Sequence, residues 1–303
     1  MTNINGPVMT DPLHRWLKEQ CLPPHYLEDV RACYLPLAAR IAQKRQGIDR
    51  PLAVSINGPQ GSGKSTLSRV LGLLLEQHHW LRPVILSLDD FYLTRRQRLD
   101  RARRIHPLFA TRGVPGTHDE ALAADILDAL RDGGFSAPLR LPRFDKARDE
   151  RLPLSDWPSV DAPVDVILFE GWCNHCPPQD AAALETPVNA LEREEDPDGQ
   201  WRRGVNEFLR EYRHSLFRPA DLLFYLRILE FDKVLEWRGL QERKLRQRLG
   251  QGVGMDEAAL RRFIQHYERL TRHGMAVLPE IADTVIDLDE RHRVSGWTQK
   301  THS

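Results

Sequence analysis

"SINGPQGSGKSTLSRVL", residues 55–71, decides the fold. Seven of its first twelve residues are Gly, Ser or Thr, Lys64 sits among them, and apolar chain lies on both sides. Gly58, Pro59, Gln60, Gly61, Ser62, Gly63, Lys64 and Ser65 match the pattern G-x-x-x-x-G-K-[ST]. Glycines let the main chain turn tightly and approach an anion with no Cβ in the way. Successive N–H groups then form a concave nest for phosphate oxygens. A helix starting near Ser65 adds unpaired donors and the positive end of its dipole. In this reading Lys64 reaches the β- and γ-phosphates of a nucleoside triphosphate, the Ser65 hydroxyl ligates Mg²⁺, and Thr66 closes the binding segment.

Working outward, "PLAVSI" (51–56) before the loop is a short apolar run of the kind that forms a strand buried on both faces. "PVILSLDD" (83–90), "VDVILFEGW" (164–172), "ADLLFYLRI" (220–228) and "ADTVIDLD" (282–289) have the same character. Helical spacing occupies 119–132, 201–216, 231–249 and 256–273. Apolar strands alternating with helices predict an α/β fold with a five-stranded, mostly parallel sheet covered on both faces. Thr117 and Glu120 in "THDE" have the spacing of a capping box at the start of one helix. Helix-like spacing over 11–46 predicts an N-terminal helical extension, residues 1–50, packed on a core formed by 51–303. The Pro- and acid-rich stretch 177–200 reads as an excursion from the sheet.

The chain's 303 residues, 41% hydrophobic, suffice for a sizeable core. Basic and acidic residues balance at 43 each, so any anion site is local and the chain does not have the charge of a generic polyanion binder. "RRQRLDRARR" (95–104) lacks aromatic interleaving and is read as a solvated helix face near the phosphate mouth, not a nucleic-acid site. The N-terminus does not read as a signal peptide and no apolar stretch approaches the length of a membrane span, so a cytoplasmic protein is expected. Four cysteines do not make a disulfide framework, and "CNHC" (173–176) has no second pair suited to zinc.

Carboxylates identify the chemistry beyond the loop. Asp89 and Asp90 in "SLDDFYL" follow the second strand, at the sheet edge where open α/β folds bind ligands. Asp89, nearer the strand, is expected to accept a proton from an attacking hydroxyl or to hold the metal. Glu170, ending the third strand, is expected on the Mg²⁺ side. No Asn/Thr-Lys-x-Asp segment is present to read guanine, which favours ATP.

The ordered set "GPQGSGKST", "SLDDFYLT", "RGVPGTHD", "LPRFDKARDERLP" and "FEGW", with "WRGLQERKLR" and "GMDEAALRRFIQHYERLT" after it, resembles the P-loop kinase family that includes D-glycerate 3-kinase. That family stands in a wider group with phosphoribulokinase, uridine kinase and pantothenate kinase. The similarity spans roughly residues 50–290. It implies ATP with Mg²⁺ and phosphoryl transfer to a hydroxyl of a small molecule, D-glycerate first. A nucleoside or pantothenate-like alcohol is the alternative acceptor, and an ATP-binding regulator with low turnover the alternative class. The resemblance implies acceptor-site roles for Asp90, Tyr92, His118, Asp119, Arg143 and Lys146. Asp145 would orient one of the two cations, and Arg238 would neutralise charge on the transferring group from a lid over 237–256.

Overall fold

A computed structural model describes residues 11–218, 220–249 and 255–300. Its central sheet contains β1 (Leu52–Asn57), β2 (Pro83–Ser87), β3 (Val166–Gly171), β4 (Leu222–Arg227), β5 (Thr284–Leu288) and β6 (Val294–Gln299). Their order is β6-β5-β4-β1-β3-β2. The first five are mutually parallel and coincide with the five apolar runs. The sheet has six strands, not five, because β6 adds itself antiparallel to β5. Its sequence, VSGWTQ, has no apolar run, since an edge strand has no need to bury both faces.

Alternation along the strands sends side chains to two cores. In β3, Val166 and Leu168 join a core beneath the N-terminal helices and the helix Lys64–His79. Ile167 and Phe169 join a second core with the helices Glu120–Asp132 and Gln200–Ser215. Leu13, Leu17, Leu37 and Ile41 lie fully or almost fully buried in the first core, so the helices Asp11–Glu19 and Leu35–Gln46 share a core with β1.

β1 and β3 are neighbours, but the chain leaves β1 toward β2 and leaves β3 toward β4. Such a divergence opens a crevice at the carboxyl ends of the strands. Glu170 stands there, opposite Ile56 of β1 and Ser87 of β2.

Two local readings change. The cap of the helix Glu120–Asp132 is Asp119, whose Oδ1 accepts from the Leu122 N–H at 3.3 Å. Thr117 instead ties the preceding loop, accepting from the Gly113 N–H and donating to the Val114 carbonyl. The helix Arg95–Arg104 is not simply a solvated face: Arg98 is 1% exposed, with a 2.7 Å ion pair to Asp149 and a 2.7 Å bond to the Ala110 carbonyl.

Candidate active site

The phosphate loop hands β1 to its helix through Gly63, whose φ of +92° is a left-handed conformation that glycine adopts without strain. Lys64 and Ser65 therefore fall in the first helical turn, where backbone donors are unpaired. The Lys64 ammonium donates to the Pro59 carbonyl at 2.9 Å, folding the side chain back over its own loop. Burial pushes this ammonium's pKa down, and the carboxylates of Glu170 and Asp89 oppose that. The Ser65 hydroxyl donates to Glu170 Oε1 at 2.7 Å. Gly58 and Ser62 form the buried foot of the loop: a Cβ on Gly58 would come within 2.7 Å of Ser62 Oγ.

Asp89 lies in a single 3-10 turn, Leu88–Phe91, directly after β2. Its Oδ1 accepts from the Tyr92 hydroxyl at 2.7 Å and its Oδ2 from the Lys146 ammonium at 2.6 Å. Burial alone would raise the Asp89 pKa, but Lys146 and the two hydrogen bonds outweigh it and hold the carboxyl well below its usual range. The same pairing raises the Lys146 pKa. Asp89 is thus an ionised acceptor with both oxygens already engaged.

These groups share one crevice of about 170 Å³. Of the residues singled out in the sequence, Gln60, Gly61, Gly63, Lys64, Ser65, Thr66, Asp89, Tyr92, Lys146, Glu170 and Arg238 line it. Arg238 arrives on the helix Asp232–Leu249, which packs so tightly on the loop that a Cβ on Gly61 would lie 3.0 Å from Trp237 Cβ. Residues 250–254 of the expected lid lie outside the described residues.

Five of the expected acceptor residues do not line the crevice. His118 is 2% exposed behind Tyr92, its ring stacked on the tyrosine at 4.7 Å and its Nδ1 3.0 Å from the Tyr212 hydroxyl. Burial pushes its pKa down to about 3, so the imidazole is neutral. Asp119 caps its helix and pairs with Arg151 at 2.9 Å. Arg143 pairs with Asp90 at 3.3 Å, and Asp90 also accepts from the Phe144 N–H. Burial raises Asp90 to about 6 against the pull of Arg143. Asp145 does not bond to Arg143 or Lys146; it accepts from the Ala147 and Arg148 N–H groups, closing the turn that carries Lys146. For Asp90, Asp119 and Arg143 the reason is shared: a charged residue in a loop finds a nearby opposite charge, and spacing alone does not say which.

The crevice also has walls that the sequence reading did not single out: Arg112, Trp172, Phe263 and Tyr267. Arg112 pairs with Asp149, which Arg98 holds from the other side. Gly113, at φ +136°, lets Tyr267 pass so closely that a Cβ would overlap its hydroxyl at 1.8 Å. The Trp172 indole N–H donates to the Gly113 carbonyl at 2.9 Å, and Tyr267 to the Arg112 carbonyl at 3.0 Å. The Arg-Gly pair inside "RGVPGTHD" was the available signal for Arg112. The aromatic residues carry no signal, because they read as ordinary core positions.

The stretch 177–200 contributes no residue to the crevice. It is braced against neighbouring helices by two buried pairs, Arg269 with Glu192 at 2.6 Å and Arg202 with Asp196 at 3.0 Å. Cys173 and Cys176 are buried free thiols, and burial raises both pKa values.

No family model matches the chain. Among known proteins, it is 32% identical over 227 residues to the uncharacterized kinase mug58 of Schizosaccharomyces pombe, covering 72% of this chain and 79% of that protein. It is 31% identical over 228 residues to the chloroplastic D-glycerate 3-kinase of Arabidopsis thaliana, spanning 72% of this chain and just under half, 46%, of that protein. The chain belongs to the P-loop kinase family that includes D-glycerate 3-kinase. Its fold is shared with the D-glycerate 3-kinase of Cryptococcus neoformans, at a TM-score of 0.72 and 24% identity over 89% of this chain and 99% of that one. The kinase is an ATP-dependent enzyme that transfers a phosphoryl group to a small molecule. Among the described residues no helix is long and apolar enough to cross a membrane.

Proposed function

We propose that the kinase phosphorylates the 3-hydroxyl of D-glycerate. The observation that carries this reading is the set of cations at the Asp89 end of the crevice, Lys146, Arg112 and Arg238. That charge suits a compact anionic hydroxy acid better than an uncharged nucleoside. The name of the Arabidopsis relative points to the same acceptor.

In this reading Asp89 Oδ2 accepts the proton of the acceptor hydroxyl as the oxygen bonds to the γ-phosphorus. The bond from that phosphorus to the β,γ-bridging oxygen breaks, and ADP leaves. Transfer passes through a loose transition state, so a carboxylate of low basicity suffices if it aims the hydroxyl in line. Lys146 and Arg112 supply the positive charge that draws the acceptor's carboxylate. Lys64 and the loop amides hold charge on the γ-phosphoryl oxygens, with Arg238 on the opposite side. The Ser65 hydroxyl and the Glu170 carboxylate, already in contact, are hard oxygen donors suited to Mg²⁺. Among the described residues there is no cluster of three or more His, Cys, Asp or Glu able to hold a metal by itself. That fits an ion that takes one or two protein oxygens and completes its shell with phosphates and water. When bound, Mg²⁺ would supply charge neutralisation across the β- and γ-phosphates.

An acceptor panel tests the proposal. ATP consumption is measured with D-glycerate, nucleosides, pantothenate and no acceptor. Stimulation by D-glycerate above all others is expected. Stimulation only by a nucleoside or pantothenate would reassign the acceptor, and tight ATP binding with no stimulation would favour a regulator.

A further inference from the structure

Arg98, on the helix Arg95–Arg104, does not line the crevice, yet it is almost completely buried. A charge that deep is tolerable only when it is paired and its donors are bonded. Each of its three nitrogens has a partner. Nε donates to the Leu93 carbonyl at 3.3 Å and one terminal nitrogen to the Ala110 carbonyl at 2.7 Å. The other terminal nitrogen donates to the Asp149 carbonyl at 3.0 Å and meets the Asp149 carboxylate at 2.7 Å. These partners lie on three separate segments, and each segment carries a residue of the crevice wall. Leu93 follows Tyr92, Ala110 precedes Arg112 by two residues, and Asp149 follows Lys146 by three.

The Asp149 contact is the most constrained. Asp149 stands at φ +56°, a conformation that residues other than glycine rarely take, and such strain persists where the surroundings over-determine it. It ends the turn of a hairpin whose strands, Phe144–Asp145 and Glu150–Arg151, pair antiparallel, with Lys146 in the same turn. Arg151 docks the base of the hairpin to the Tyr92 carbonyl and to Asp119, each at 2.9 Å. Arg112 lies against the same hairpin. Asp149 Oδ1 takes its guanidinium, its other terminal nitrogen reaches the Lys146 carbonyl at 3.3 Å, and it stands over the Phe144 ring at 5.8 Å. One carboxylate therefore serves two guanidiniums, Arg98 from the buried side and Arg112 from the crevice.

We infer that Arg98 is a positioning residue for the proposed acceptor end: by joining the segments that carry Tyr92, Arg112 and Lys146, it sets the distances between them. A planar fork with donors on three nitrogens spans three segments, which a lysine ammonium with all its donors at one point cannot do. The inference rests on the reading that the acceptor binds beside Asp89. None of the Arg98 bonds touches the phosphate loop, so nucleotide binding does not depend on it.

Arg98→Lys tests this, since it keeps the buried charge beside Asp149 and loses the three-way span. With D-glycerate as acceptor, the acceptor KM should rise about 10-fold while the KM for ATP stays within about twofold. In an Arg112→Ala background the same substitution should raise the acceptor KM no more than about threefold, because residues on one network do not act independently. Hydrogen exchange read by mass spectrometry, with no ligand added, should quicken at least about 10-fold in residues 144–152 and 110–113 and stay unchanged in 58–66. If Arg98→Lys fails to fold, Asp149→Asn weakens the same link at a position where asparagine tolerates the left-handed backbone, and the same pattern is expected. An acceptor KM equal to the parent's, a parallel rise in the KM for ATP, equal factors in both backgrounds, or unchanged exchange in 144–152 would overturn the inference. If D-glycerate does not stimulate the parent enzyme, the proposed acceptor falls, and the exchange pattern still decides whether Arg98 ties the hairpin to the loop of Arg112.

Discussion

The two ends of the crevice are built differently. The phosphate end is mainly backbone, with eight consecutive residues, Gly58–Ser65, supplying the loop and the helix start. The other end, where we propose that the acceptor binds, is assembled from side chains of distant segments: Asp89 after β2, Arg112 in a loop, Lys146 on a tight turn and Arg238 on a late helix. A contiguous backbone device can act with few long-range partners. A side-chain constellation depends on which charges pair, and that is decided by the folded chain. This difference implies that the two ends can be damaged independently.

Asp89→Asn should give the largest effect. Turnover should fall about 10²- to 10⁴-fold, while ADP affinity, set at the other end, stays within about threefold of the parent. Steady-state kinetics beside calorimetry read both quantities. Parallel loss of binding and turnover would join the two ends and break the comparison.

Arg112→Ala should act next most strongly. Loss of a charged hydrogen-bond partner for the acceptor should raise its KM about 10- to 100-fold, with the KM for ATP little changed. Arg98 continues to hold Asp149, so the loop has a remaining anchor. An unaltered acceptor KM would remove Arg112 from the site.

The same contrast explains what the sequence made legible. The five parallel strands were readable because each is an apolar run, as burial on both faces demands. β6 was not, since its exposed edge relaxes that demand. The phosphate loop was readable because its glycines, lysine and serine are consecutive. Asp89 and Lys146 were singled out separately, yet nothing in their spacing of 57 residues shows that they form an ion pair. His118, Arg143 and Asp145 were drawn to the site by the motifs that contain them, yet the folded chain places them outside the crevice lining. His118 supports Tyr92, Arg143 neutralises Asp90, and Asp145 shapes the Lys146 turn. Tyr267 sits inside a regular helix, and only the glycine opposite it, Gly113, reveals its close approach.

The smallest effect concerns the support layer. His118 remains neutral in the fold down to about pH 3, whereas in the unfolded chain it protonates near 6.5. The unfolded state thus binds more protons below about pH 6.5, so stability is full above that value and falls as pH drops toward 3. The slope from this one residue is at most about 1.4 kcal/mol per pH unit. His175 and His266, each pushed by burial to about 4, add to the same trend. Urea unfolding at pH 7 and pH 5 measures it. His118→Gln should flatten the profile, and an unchanged slope would show that His118 titrates normally in the fold.

The central claim is that the Asp89 end of the crevice presents a primary hydroxyl of a small hydroxy acid to the γ-phosphoryl group. Phosphorus NMR of the product made from ATP and D-glycerate tests it most directly. The account predicts a phosphomonoester resonance split into a triplet by the two methylene protons of the 3-position, absent when Asp89→Asn replaces the parent enzyme. A doublet from a single methine proton, or only inorganic phosphate, would contradict it.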